Sequence, residues 1–286
     1  MLRLYDDPDR LGDALNFTEA ETTFAARLVE KDYYSTVVLD YLAGHALPLV
    51  FKGGTCLAKV HCGFFRLSED LDFVIPVEAD SARTERRKLV APVKNAFGEL
   101  TAALPCFRVK GPLEGANNST QYVGSVSYRS LATGQEETIK LEVALREPLL
   151  TPAVTGDART VLLNPLTAQA MLAPVSLRCM SKAESYAEKF RAALSRREVA
   201  ARDFFDLDYA VRTLGLNPGD EDLVGLVRQK LAVRGNAPVD VSAQRLDLLR
   251  RQVGSQLRPV LRHADLAAFD VARAFGIVAE MAEKVT

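Results

Sequence analysis

Several features that would point at once to a class of function are missing from this chain of 286 residues. Cysteine is scarce: Cys56, Cys62, Cys106 and Cys179 include no Cys-x-x-Cys spacing and read as free thiols rather than disulfides or a zinc site. Histidine is scarcer, with only His45, His61 and His263, none paired at metal-ligand spacing. No stretch approaches the ~20 consecutive apolar residues needed to cross a bilayer. The acidic start, with Asp6, Asp7 and Asp9 close behind Met1, lacks a signal peptide's basic and apolar regions. A cytoplasmic protein with no membrane partner is therefore expected. Charge of one sign is lacking too, since a net charge of −1 gives none of the positive bias of a dedicated nucleic-acid scaffold. Basic clusters at Arg83, Arg86, Arg87, Lys88 and at Arg191, Arg196, Arg197, Arg202 read as solvated helix faces and name no partner. There is no internal repeat and no low-complexity tract.

What is present is ordinary globular composition, 48% apolar and 26% charged, in a chain long enough for two modest domains. Residues 18–42 carry apolar positions at helical spacing after an Asn16-Phe17-Thr18-Glu19 start. Leu49-Val50-Phe51 is a short apolar run that stops at Lys52-Gly53-Gly54, which predicts a strand feeding a glycine turn. Thr55 is placed to cap the helix that follows, and that helix should end near Gly63. Residues 68–76 alternate acid and apolar side chains and then run apolar, as a strand beside a cleft would. A basic amphipathic helix is expected over 81–104, and a hairpin from the runs 121–128 and 137–145. Residues 147–174 hold five prolines and glycines and read as a connector, and strand signals vanish beyond Leu177. The expected organisation is a mixed sheet domain over 1–150, a connector over 151–175 and a helical domain over 176–286.

The chemistry concentrates at Asp70 and Asp72. Two residues apart on a strand, their carboxylates project from one face while Leu71 and Phe73 face the core. Such a pair repels unless a cation lies between, although a solvated acid pair on an edge strand would look the same. The preceding Gly53-Gly54-Thr55 changes the reading, because a glycine turn and a helix start expose backbone N–H groups suited to phosphate. Mg²⁺, or Mn²⁺, takes one or two carboxylates and completes its shell with substrate phosphates, so an NTP is the implied ligand. Glu142, between Leu141 and Val143, is the candidate third acid for a two-metal arrangement. Lys52 and Arg66 are candidates to neutralise a leaving pyrophosphate.

The residues 51–59, Phe-Lys-Gly-Gly-Thr-Cys-Leu-Ala-Lys, followed by residues 66–73, Arg-Leu-Ser-Glu-Asp-Leu-Asp-Phe, closely resemble the AbiEii family of nucleotidyltransferase toxins, which includes the MenT toxins. Residues 187–194 and 202–207 look like that family's two later motifs, so four motifs occur in order over about residues 49–208. The resemblance implies an α+β fold, a polymerase-β-like nucleotidyltransferase core with a C-terminal helical domain. It also implies a toxin paired with a cognate antitoxin, transferring NMP from NTP, with the 3′ end of tRNA as acceptor. Carried over by position, Asp70 and Asp72 would hold the metal. Gly53, Gly54 and Ser68 would contact phosphates, and Lys189 and Asp203 would complete the nucleotide site. Cys56 and His61 match no motif role, and Glu142 stands where the wider superfamily often has aspartate. Lys189 and Asp203 are ~21 Å apart along an unbroken helix, so they can share one nucleotide only if the chain turns near residues 195–197. Nucleotidylation of a protein hydroxyl, or nucleotide binding without turnover, are the competing expectations.

Overall fold

The first helical stretch is broken where the sequence suggested continuity. Helix α1 spans Pro8–Thr22, capped by the Asp7 carboxylate accepting from Arg10 N–H, and α2 spans Ala26–Ala43. Asn16-Phe17-Thr18-Glu19 therefore lies inside α1 and starts nothing. The break falls at Thr23, whose left-handed backbone (φ 60°) ends α1, while the Thr22 hydroxyl accepts from Phe24 N–H and the Glu19 carboxylate accepts from Ala26 N–H. Threonine hydroxyls and a glutamate thus supply the bonds that a continuous helix would have made.

The computed structural model describes residues 3–286 and divides them into two units. One runs up to Leu149 and resumes over Ala153–Met180; the other comprises Leu150–Pro152 and Ser181–Thr286. The first holds a seven-stranded mixed sheet in the order β3-β4-β5-β2-β1-β7-β6, with β1 at Val50–Lys52, β2 at Leu71–Val74, β3 at Phe107–Ala116, β4 at Gln121–Arg129, β5 at Glu136–Ala144, β6 at Val154–Ala158 and β7 at Val175–Cys179. Between β1 and β2 lie α3 (Gly53–Cys56) and a π-helical turn over Leu57–Cys62, ended by left-handed Gly63. Helix α4 is Arg83–Ala103.

Three strands differ from the sequence reading. β3 was not expected, because Gly111, Pro112 and Gly115 interrupt its pattern; its register with β4 shifts there. β6 lies in what the sequence suggested was a connector over 151–175, and β7 runs from the last residue of that stretch into what was expected to be the helical domain. They pair antiparallel, and β7 joins β1 in parallel at Phe51 and Cys179. The prolines there fall outside the short strands, and Gly156 sits within β6 at the sheet margin, where breakers are tolerated. Within the basic cluster of α4, Arg86 is buried and donates to the carbonyl oxygens of Ser81 and Asn118. It is not part of a solvated face. All four cysteines are free thiols.

The second unit is helical: α5 (Lys182–Ser195), α6 (Ala201–Leu214), α7 (Glu221–Ala232), α8 (Ala243–Gln252), α9 (His263–Ala268) and α10 (Val271–Val285). No helix among the described residues is long and apolar enough to cross a membrane.

The first unit is fastened by a buried ion pair. Lys59, on the turn after α3, sits 2.6 Å from Asp32 of α2, and the two side chains are 1% and 5% exposed. Lys59 also donates to Thr36 Oγ1 (2.7 Å), and Asp32 accepts from Thr160 Oγ1 and Val161 N–H. Burial pulls the Lys59 ammonium below its ordinary range although Asp32 opposes this. Lys59→Met would strand the Asp32 carboxylate in the core. We expect it to lower unfolding free energy by about 3–5 kcal/mol, read from the shift of a urea transition.

Candidate active site

Strand β1 ends with Lys52 extended, and Gly53 follows at φ +77°, a conformation that L side chains rarely adopt. A Cβ on Gly53 would overlap the Asp72 carboxylate. One on Gly54 would overlap the Arg66 guanidinium and stand 3.2 Å from Ser68 Oγ. The paired glycines therefore let an acid, a cation and a hydroxyl all approach the turn. Thr55 is not the expected cap, since the helix already begins at Gly53. Its hydroxyl donates instead to the Asp70 carbonyl oxygen, tying α3 to the approach of β2.

The sheet then aligns the charges. Lys52 on β1 pairs with Asp72 on β2, and Asp72 pairs in parallel register with Glu142 on β5. Directly paired residues share a face, so Lys52, Asp72 and Glu142 form one row across three strands. Leu71, Phe73, Leu141 and Val143 are buried in the core. Burial first, and the neighbouring Glu142 second, push the Asp72 carboxyl up to about 6; Asp70 adds to the rise while Lys52 and Lys140 oppose it. Lys140 Nζ lies 2.9 Å from Glu142 Oε2. Burial would pull the Lys140 ammonium down, but Glu142, Asp70 and Asp72 together hold it above its ordinary value.

Arg66 differs from expectation. Rather than bordering an open cleft, it is buried, donating to the Leu67 carbonyl oxygen at 3.1 Å with its guanidinium 5.7 Å from the Phe65 ring centroid. It forms the wall of the glycine turn. His61 and Cys56 have structural surroundings: a His61 ring nitrogen is 2.9 Å from Met180 O, and the buried Cys56 thiol hydrogen-bonds Cys179.

In the helical unit the chain does turn between Lys189 and Asp203, at residues 196–200 between α5 and α6. Lys189 Nζ is 2.7 Å from Asp203 Oδ1 and 2.8 Å from Asp206 Oδ2, and Asp203 also meets Arg196 at 3.2 Å. Asp206 was not singled out from the sequence, although Asp203-x-x-Asp206 places both acids on one helix face.

The sequence model of the family described as "Nucleotidyl transferase AbiEii toxin, Type IV TA system" matches residues 38–274. The chain belongs to that family. Among solved structures, the AbiEii chain is similar to MenT4, nucleotidyltransferase toxin Rv2826c from Mycobacterium tuberculosis H37Rv, with 20% identity, TM-score 0.62, and 96% of this chain and 92% of that chain covered. It is also similar to JHP933 from Helicobacter pylori, with 18% identity, TM-score 0.52, and 92% and 93% covered. These likenesses establish the mixed α/β fold. No curated protein matches the AbiEii chain in sequence.

The donor set suits a hard divalent cation, since Asp70 and Asp72 offer only oxygen and Asp72 is raised by burial and by the neighbouring Glu142 and Asp70 carboxylates. The three-acid arrangement is not formed as placed: among the described residues no three Asp, Glu, His or Cys side chains converge to hold a metal. Lys140 escaped the sequence reading, although Lys140-x-Glu142 on a strand was a legible signal for a shared face.

Two outcomes follow. Because the folded carboxyl of Asp72 titrates near 6, against an ordinary 3.8, its contribution to stability is complete below 3.8 and is lost as pH rises through 6. Asp72→Asn should therefore melt higher than wild type above pH 6 without added metal, with the gap closing towards pH 4. Lys189→Met removes the ammonium that Asp203 and Asp206 share and should destabilise the fold by about 3 kcal/mol, measured by urea unfolding beside any activity assay.

Proposed function

We propose that this nucleotidyltransferase toxin is metal-dependent and moves NMP from an NTP to the 3′ end of tRNA, blocking translation until a cognate antitoxin neutralises it. The observation that carries this reading is the row of Lys52, Asp72 and Glu142 laid against the Gly53-Gly54 turn. Phosphoryl and nucleotidyl transfer ask for alignment and charge neutralisation more than for covalent chemistry. In the proposal, Gly53, Gly54, Thr55 and Ser68 lie against the phosphates, and Lys52 supplies a positive charge beside them. Arg66 stiffens that turn from behind. A divalent cation held by Asp70 and Asp72 would neutralise the triphosphate and the attacking oxygen. In the helical unit Lys189 and Asp203 are the proposed nucleotide-binding residues, with Asp203 orienting Lys189, a role supported by their 2.7 Å contact. The antitoxin is the partner implied by a type IV toxin.

The test is incubation of purified protein with each labelled NTP, Mg²⁺, and either total tRNA or total protein. Label is expected on tRNA, and Asp72→Ala should cut the rate by about a thousandfold or more. Label on protein alone would replace the acceptor, and full activity of Asp72→Ala would remove the mechanism.

A further inference from the structure

The charge row leaves one cation unused by the proposed chemistry. On β5 the side chains of Ile139, Leu141 and Val143 are buried, so Lys140 and Glu142 emerge together on the opposite face. In parallel register Leu71 pairs with Leu141 and Asp72 with Glu142. Asp70 lies one residue before β2 begins, near enough for its charge to act on Lys140. The face carries the row of Lys52 beside Asp72 beside Glu142, with Lys140 two residues before Glu142 on β5. Two like charges opposite one another across adjacent strands are unfavourable without a counter-charge. Here Asp72 has Lys52 on one side, and Glu142 has the Lys140 ammonium at 2.9 Å.

A two-ion site needs Glu142 as a metal ligand together with the aspartates. In this chain one Glu142 oxygen already accepts from an ammonium that its own strand supplies. A second divalent ion would have to displace that ammonium and then sit beside it. We propose that Lys140 supplies the second positive charge of the transfer site, holding Glu142 and leaving Asp70 and Asp72 to bind a single divalent cation.

This rests on the metal-dependent reading above, so the test reads metal directly rather than activity. Mn²⁺ alone is titrated into wild type, Lys140→Met, Lys140→Arg and Asp72→Ala, with bound ion counted from the loss of the free Mn²⁺ paramagnetic signal. Lys140 is 44% exposed in its side chain, so methionine keeps the stem and removes the charge without disturbing the core. Circular dichroism confirms that each variant is folded. The expected result is one ion per wild-type chain and one for Lys140→Arg. Lys140→Met should gain a second ion, or bind the first about tenfold tighter, a change of ~1.4 kcal/mol. Two ions on wild type overturn the inference and leave metal dependence standing. So does a Lys140→Met titration identical to wild type. If wild type binds no more Mn²⁺ than Asp72→Ala does, the metal-dependent reading itself fails, and this inference with it.

Discussion

Asp72 and Glu142 face one another on neighbouring strands about 4.8 Å apart, and the apolar residues between them allow neither to retreat. Leu71 and Phe73 on one strand and Leu141 and Val143 on the other lock the register by burying the opposite face. A slip of one residue in either strand would put two of these apolar side chains in water and that strand's acid in the core. The hydrophobic effect thus holds two carboxylates at a separation they would not choose. That constraint adds to the rise that burial gives the Asp72 carboxyl and accounts for Lys52 and Lys140 beside the pair.

A single helix secures the segments around this row. From α2, Glu30 accepts from the Leu131 and Ala132 N–H groups and the Ser130 hydroxyl, fixing the turn between β4 and β5. Two residues on, Asp32 holds Lys59 and so the helix that follows the glycines. Arg27 and Lys31 both reach Glu69, next to Asp70, at 3.1 Å. Burial alone would raise the Glu69 carboxyl, but Lys31 and Arg27 outweigh it and hold it low. Charged side chains of one largely buried helix make these fastenings in a partly desolvated interior, where each is worth more than on a surface.

Legibility followed the range of the interactions. The strand-turn-helix at Val50–Cys62, the strand at Leu71–Val74 and the hairpin of β4 and β5 were readable because alternation and glycine placement act over a few residues. The split of α1 from α2 was not, since it rests on Glu19 reaching Ala26 N–H and on a left-handed Thr23. β6 and β7 were hidden among prolines because β7 is placed by β1, more than a hundred residues away in sequence, and the margin strand β6 pairs only with β7. Arg66 read as a cleft residue because nothing local shows that Gly54 leaves room for its guanidinium.

By itself the sequence determined the chemical inventory: two carboxylates two residues apart, of which Asp72 lies on β2 and Asp70 just before it, two glycines opening a helix, and a lysine and an aspartate that needed a turn between them. Those follow from fixed periodicities and from the steric freedom of glycine, which no distant contact alters. Only the tertiary structure decided that Glu142 lies level with Asp72, that Lys140 claims Glu142, and that Asp206 shares Lys189 with Asp203. Parallel register and helix packing are set by which apolar faces bury one another across long stretches of chain. Charge neighbours chosen in that way leave no local trace in the order of residues.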